Sequence, residues 1–411
     1  MPAAPSPDRL DRRVVAVLLA ACLISLLSFG VRSAFGLFTD PVSRSLGSSR
    51  EVFAIAIALQ NLAWGVAQPL AGVVADRHGA RRVLLLGALL YAGGVAGMAM
   101  VSSPSGLYLT AGLMVGAGMG GASYITVLAA LGRLMPESQR SWALGLGTAA
   151  GSLGQFVVVP TVQAVLGNVG WQGGAWALAA AAALIVPAAL LITGDRRHAD
   201  VRGAADEPGV AATLRAAAVH PSYILLVLGF FVCGFQLAFI TTHFPPYLID
   251  KGLGAQVASW AIAMVGLFNV AGAYLAGIWG GRTSKKNLLA AVYFGRAAVT
   301  AAFLLLPLST GTVLAFGAAM GLLWLSTAPL TSGLVATFFG TRYMATLFGL
   351  VFFSHQVGSF LGVWLGGRLF ALTGSYDAVW WMCVALALVA GLVNLPIRER
   401  PAHAFQRLST A

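Results

Sequence analysis

The sequence predicts an all-α membrane protein: twelve transmembrane helices in two parallel-repeat six-helix bundles. Three observations predict it, namely an apolar composition, apolar runs of membrane-spanning length, and a repeat that relates the two halves of the chain. Of the 411 residues 58% are hydrophobic and 9% charged, and the mean hydropathy is +0.84. A chain this apolar cannot hide its surface inside one water-soluble globule.

A helix that crosses a bilayer needs about 20 mostly apolar residues. Twelve such runs follow one another at 14–38, 51–75, 83–103, 106–132, 141–167, 172–193, 222–247, 256–280, 287–307, 310–338, 343–371 and 376–397. They are continuous and do not alternate with period two, which favours helices over an outer-membrane barrel. Glycine is abundant inside them, as in GLMVGAGMGGAS (112–123) and GLGTAAGSLG (145–154), where small residues let helix backbones approach closely. Pro69, Pro160, Pro245, Pro246 and Pro329 read as kinks or breaks within the runs. Cys22, Cys233 and Cys383 lie inside apolar runs and show no metal or disulfide spacing, so they read as packing residues.

The cations fix an expected orientation. With a cytoplasmic N-terminus, 19 of the 25 Lys and Arg residues fall on cytoplasmic ends and loops, while Arg44, Arg50, Lys251 and Arg368 fall opposite. The positive-inside rule then places both termini in the cytoplasm. The same distribution accounts for the net charge of +12 without nucleic acid, because the basic residues are spread over short loops and form no continuous patch. No cleavable signal is expected, since the first apolar run is long and lacks a small-residue cleavage site.

The halves repeat. At a shift of 205 residues, Gly72, Arg77 and Arg81 fall on Gly277, Arg282 and Lys286; at 202, Arg140, Ala143 and Gly147 fall on Arg342, Ala345 and Gly349; at 204, GWQGGAW (170–176) falls on GSYDAVW (374–380). Six spans return the chain to its starting side, so the copies are parallel. The expected divisions are an N-terminal bundle (1–194), a cytoplasmic linker (195–221), a C-terminal bundle (222–398) and a cytoplasmic tail (399–411). The linker's polar stretch DRRHADVRGAADEPG precedes AATLRAAAVH, which reads as a short surface helix.

Between the second and third runs the chain reads G72-V-V-A-D76-R77-H-G79-A-R81-R82. This resembles the signature G-x-x-x-D-R-x-G-x-R-R of the major facilitator superfamily of secondary transporters, with a degenerate second copy carrying Gly281 in place of Asp. The resemblance covers essentially the whole chain. It implies a cytoplasmic gate formed by Asp76, Arg77, Gly79, Arg81, Arg140, Arg282 and Arg342, in which Asp76 pairs with arginines and a helix N-terminus and lets go when the bundles rock apart. Topology alone explains the arginines but neither Asp76 nor Gly79. FGVRSAFGLFTDPVSRSLG (29–47) and RSWALGLGTAAGSLG (140–154) look like the monocarboxylate and oxalate–formate branch. Those relatives place an arginine in helix eight that grips a carboxylate; here VGLFNVAGAYLAGIWG (265–280) has none.

All thirteen acidic residues sit in loops or at helix ends, whereas Arg32, His243, Arg296 and His355 lie at depth. Ionisable groups there are costly and usually face a cavity, and an arginine-lined cavity favours a carboxylate. The expected cargo is therefore a small, monocarboxylate-like organic anion, moved by alternating access with protons or a counter-anion as partner. Arg32 has two readings, substrate contact or snorkelling to the surface; Arg296, substrate contact or a bond to helix carbonyls. His355 is the expected proton-coupling residue, against a neutral core histidine; His243 serves a gate, an interface or the substrate. Gln60, Asn61, Trp64, Tyr124, Gln155, Gln236, Asn269 and Gln356 complete the site or bond between helices. Efflux of a drug or metabolite, and a membrane sensor without turnover, are the alternatives. The chain carries no Walker loop, zinc-ligand cluster or catalytic triad. No enzymatic activity, cofactor or metal is expected, and the protein reads as a monomer of a bacterial inner membrane.

Overall fold

The computed structural model describes residues 12–123, 126–127, 131, 137–192, 210–340 and 343–402. The described chain is helical throughout, with no strand among the described residues. Helix α1 runs over Arg12–Ser33 and continues through a tight turn (Phe35–Phe38) into Thr39–Ser45; α2 spans Arg50–His78 and α3 Ala80–Ala99. Helix α4 comprises Pro104–Leu107, a π-helical stretch Tyr108–Met114 and Val115–Ala122. Helices α5 (137–169) and α6 (171–183, then Ile185–Leu191) are two separate helices that meet at Gly170, whose backbone is not helical (φ 77°, ψ 179°). A short helix, Val210–Ala218, precedes α7 (Pro221–Asp250), α8 (Ala255–Arg282), α9 (Lys285–Leu305), α10 (Thr310–Leu323, then Thr327–Phe339), α11 (Met344–Thr373) and α12 (Asp377–Asn394).

The apolar runs and the helices agree to within a few residues, with three local differences. Helix α1 continues past residue 38 to Ser45, because the turn at Phe35–Phe38 redirects the chain without ending its hydrogen-bonded path. Helix α10 breaks at 324–326, and α4 carries a π-helical stretch at Tyr108–Met114. The repeat also shows in two backbones: Gly170 and Gly374 both take positive φ (77° and 70°), a conformation that a Cβ disfavours. Pro69, Pro160, Pro245 and Pro246 lie inside helices, and Pro329 sits in the first turn after the α10 break.

Within each half the helices pack through glycine. Gly154 of α5 lies against the Leu26 backbone of α1, Gly234 of α7 against the His355 backbone of α11, and Gly272 of α8 against the Leu322 carbonyl of α10, so that no side chain fits at any of them. At the end of the bundle where the linker joins, segment 395–402 ties the C-terminal half together. The Glu399 carboxylate accepts from the Ser284 hydroxyl (2.7 Å) and the Lys286 amide (2.9 Å), the Arg398 amide donates to Ser222 Oγ (3.0 Å), and the Ala402 amide to the Phe338 carbonyl (2.9 Å). Partial burial of Glu399 opposes its charge, but these donors outweigh that and hold the carboxyl below its ordinary value of about 4.5.

Candidate functional site

The two halves meet along α2 against α11, α5 against α8, and α1 against α7. At the end away from the linker, here the distal end, ion pairs cross this boundary. Arg50, the first residue of α2, holds Asp40 of its own half (Nη2 to Oδ2, 2.9 Å) and Asp250 at the end of α7 (Nη2 to Oδ1, 2.7 Å). Its guanidinium also lies over the Phe370 ring of α11, 4.4 Å from the centroid. A weaker pair joins Glu51 to Arg368 of α11 at 3.4 Å. Gly36 on the α1 turn meets the Thr241 carbonyl of α7, and Gly367 of α11 meets Ala54 of α2, closing the distal end sterically.

Contacts between the halves continue to the middle of the bundle. Gln356 Nε2 donates to the Asn61 carbonyl (3.2 Å), Trp64 packs edge-on against Phe352, Gln155 Nε2 donates to the Ile262 carbonyl (2.8 Å), and Asn269 Nδ2 donates to Ser152 Oγ (2.8 Å). Nearer the linker end on the same four helices, Leu70, Val73, Val74, Leu146, Tyr274 and Leu350 are exposed.

Arg32 is half-buried in the N-terminal half. Its Nη2 donates to Asn61 Oδ1 (3.3 Å), and its guanidinium lies 4.8 Å from the centre of the Trp64 ring. It borders a cavity of about 10 Å³, room for one water, with Ser28, Phe29, Trp64, Met119 and Ser123. The polar side of this wall is organised around Gln68, whose Oε1 accepts from Trp64 Nε1 (3.0 Å) and Ser123 Oγ (2.8 Å).

Arg296 differs completely: of its two readings, the structure displays the bond to helix carbonyls. It is 0% exposed, and its Nε and Nη2 donate to the Leu323 carbonyl (3.2 and 2.8 Å) and Nη2 also to that of Trp324. The α10 break leaves those carbonyls without helical partners, and Arg296 fills the vacancy. Asn269 steadies the same break from the other side, its Oδ1 accepting the Leu325 amide (2.9 Å).

Several other expected ligands also make hydrogen bonds between helices, the second of the two readings given them above. Gln60 Nε2 donates to the Ala111 carbonyl of α4 (2.8 Å), Gln236 Nε2 to that of Cys383 on α12 (2.8 Å), and Asn269 links α8 to α5 and α10. Gln356 ties α11 to α2. His243 is 0% exposed, with Nε2 on the Val363 carbonyl (2.8 Å) and Nδ1 on the Tyr376 hydroxyl (3.3 Å). Of the two histidines expected at depth, His355 is 7% exposed, stacked on Phe352, with Nδ1 at 3.0 Å from Gln356 Oε1.

Tyr124, Arg342 and the side chains of Asp76, Arg77 and Arg140 lie outside the described residues. Of the remaining gate residues, Gly79 separates α2 from α3 at φ 87°, and Arg81 and Arg282 are exposed. Sequence reasoning missed the distal cluster, reading Asp40, Arg50, Glu51, Asp250 and Arg368 only as loop or helix-end charges. A signal existed: the few cations of that face alternate with acids at the helix ends of both halves.

The Major Facilitator Superfamily profile matches residues 21–363. The chain is 24% identical over 393 residues to an uncharacterized MFS-type transporter, YcxA, of Bacillus subtilis (strain 168), covering 92% of this chain and 94% of the relative. It is 28% identical to Homo sapiens monocarboxylate transporter 11 over 393 residues, covering 92% and 81%. Among solved structures, a D-xylose-proton symporter superposes with a TM-score of 0.72 at 15% identity, over 95% of this chain and 98% of that one. A bacterial homolog of the human lysosomal transporter Spinster, in an inward-facing and unoccupied conformation, gives 0.71 at 16%, over 98% of each.

Proposed function

The chain belongs to the Major Facilitator Superfamily, and from that premise we propose that it moves a small, monocarboxylate-like organic anion by alternating access, as a monomer in the cytoplasmic membrane. The observation that carries the reading is Arg32: a guanidinium at depth, half-buried beside a cavity, with Asn61 and the face of Trp64 orienting it. A planar guanidinium matches a carboxylate through two parallel N–H···O bonds. Phe29, Met119 and Trp64 give that one-water cavity an apolar wall beside the guanidinium. The similarity to monocarboxylate transporters favours the same class.

The halves act as rigid bodies, residues 1–194 and 222–398, joined by the linker 195–221, with the tail 399–411 on the same side. The positive-inside distribution makes the linker end cytoplasmic, so the distal lock closes the outer face. Asp76, with Arg77, Arg81 and Arg140, forms the opposing gate that engages when the distal end opens. Transport is coupled to protons, with His355 as carrier between the Gln356 and Ser359 side chains.

Counterflow in proteoliposomes loaded with short carboxylates tests the reading: labelled carboxylate should accumulate, and Arg32→Ala should abolish this while leaving membrane insertion intact. Carboxylate counterflow at the wild-type rate in Arg32→Ala would remove the site. Thermal stabilisation by hydrophobic cations and not by carboxylates would replace the anion with an exported drug.

A further inference from the structure

The distal lock is wired to a buried histidine. Arg50 lies over Phe370, Phe370 stacks on Tyr376 with centroids 4.5 Å apart, and the Tyr376 hydroxyl meets His243 Nδ1 at 3.3 Å. The Arg50 guanidinium also stands beside the Tyr376 hydroxyl. We propose that His243 is a positioning residue for the lock: its neutral ring orients the Tyr376 hydroxyl beneath Arg50, and a second proton on the ring breaks that arrangement and opens the distal end.

Hydrogen-bond bookkeeping fixes the neutral form. The Val363 carbonyl can only accept, so Nε2 carries a hydrogen. In the neutral ring Nδ1 then bears a lone pair and accepts from the Tyr376 O–H. With its hydrogen committed to His243, the Tyr376 oxygen turns lone pairs toward Arg50, which has only donors to offer.

A proton added at Nδ1 reverses the direction of that bond. The Tyr376 oxygen would have to accept from His243 and face Arg50 at once, placing two cations on one phenol oxygen. Nothing nearby relieves this. The ring is fixed against Gly366, where no side chain fits, and is lined by Phe239 of its own helix and by Tyr376. Tyr247 packs on the far side of Tyr376, and α1 touches this region through Thr39, which is uncharged. Of the charged groups of the region, Asp40 and Asp250 are bound to Arg50, Asp377 stands exposed at the start of α12, and Lys251 lies over the Tyr247 ring. Release of Arg50 from the lock is the available way to separate the charges, and it frees Asp250 of α7 from α2.

The test needs no substrate. Spin labels at Ser45 and Gln256, exposed residues at the distal ends of opposite halves, report that gap in the reconstituted full-length protein. Acidification from about pH 8 to about pH 3.5, far enough to protonate a buried histidine beside an arginine, should shift the wild type toward the longer distance. His243→Gln and Tyr376→Phe should both lose that response, and His355→Gln should keep it. An acid response that survives in His243→Gln, or in Tyr376→Phe should the first variant not fold, overturns the proposal, as does a response lost only in His355→Gln. Because the readout is a distance without cargo, failure here leaves the anion reading standing, and failure of carboxylate counterflow leaves this one standing.

Discussion

At the distal end two ion pairs, Arg50–Asp250 and Glu51–Arg368, cross from one half of the molecule to the other, whereas at the linker end the contacts made by Glu399 stay inside the C-terminal half. Arg50 joins Asp40 to Asp250 and so binds α2 to α7; Glu399 joins the segment after α12 to the start of α9. The chemistry is similar, charge-assisted hydrogen bonds to carboxylates, yet the consequences separate. A bond within a half is kept in every arrangement of the two halves and contributes to folding. A bond across the boundary exists in one arrangement alone and contributes to the population of that state.

The largest expected effect is on a within-half contact. Arg296→Met strips two buried carbonyls at the α10 break of their donors, and it should cost about 3–5 kcal/mol, read as a collapse of the melting temperature or of folded yield. A variant that melts normally would show that the break does not need Arg296. Next comes Asp250→Asn, which weakens only the cross-boundary partner of Arg50 and should leave the melting temperature nearly unchanged. It should move the Ser45–Gln256 distance toward the open distal end by about 2–3 kcal/mol, roughly 30- to 150-fold in population. An unchanged distance distribution would mean that steric closure by Gly36 and Gly367 suffices without that ion pair.

A pair of glycines sharpens the contrast further. Gly154→Ala presses on the Leu26 backbone within the N-terminal half and should lower stability by about 1–3 kcal/mol. Gly36→Ala presses on Thr241 across the boundary and should instead favour the open distal end at little cost in melting temperature. Equal losses of stability in both would erase the distinction. The smallest effect is the acid response of Glu399. Its carboxyl is depressed in the fold, so its contribution is present above the ordinary value of about 4.5 and is lost as pH falls through the folded value. Because the group is only partly buried and screened by solvent, Glu399→Gln should cost under about 1 kcal/mol and flatten the melting temperature below about pH 4.5.

Two arginines at similar depth show how far the sequence alone could be read. Arg32 and Arg296 both stood out as cations in apolar runs. Nothing in YFGRAAV says that the chain facing it breaks at 324–326 and offers two free carbonyls, whereas Arg32 keeps its guanidinium beside a cavity between α1, α2 and α4. The same limit applies to Gln60, Gln236, Asn269 and Gln356: their depth was legible, but their partners lie 51 to 295 residues away along the chain. Asp40, Arg50 and Asp250 were legible as helix-end charges, and their union at one point was not.

By itself the sequence determined the number and extent of the helices, their repeat and the family, because lipid forces every backbone polar group into internal hydrogen bonds and leaves long apolar runs no structure but the helix. Tertiary packing alone decided which deep polar groups remain available and which end of the bundle is locked. Those outcomes depend on angstrom-scale encounters between segments far apart in the chain, where one carbonyl within reach converts a prospective ligand into a helix tie.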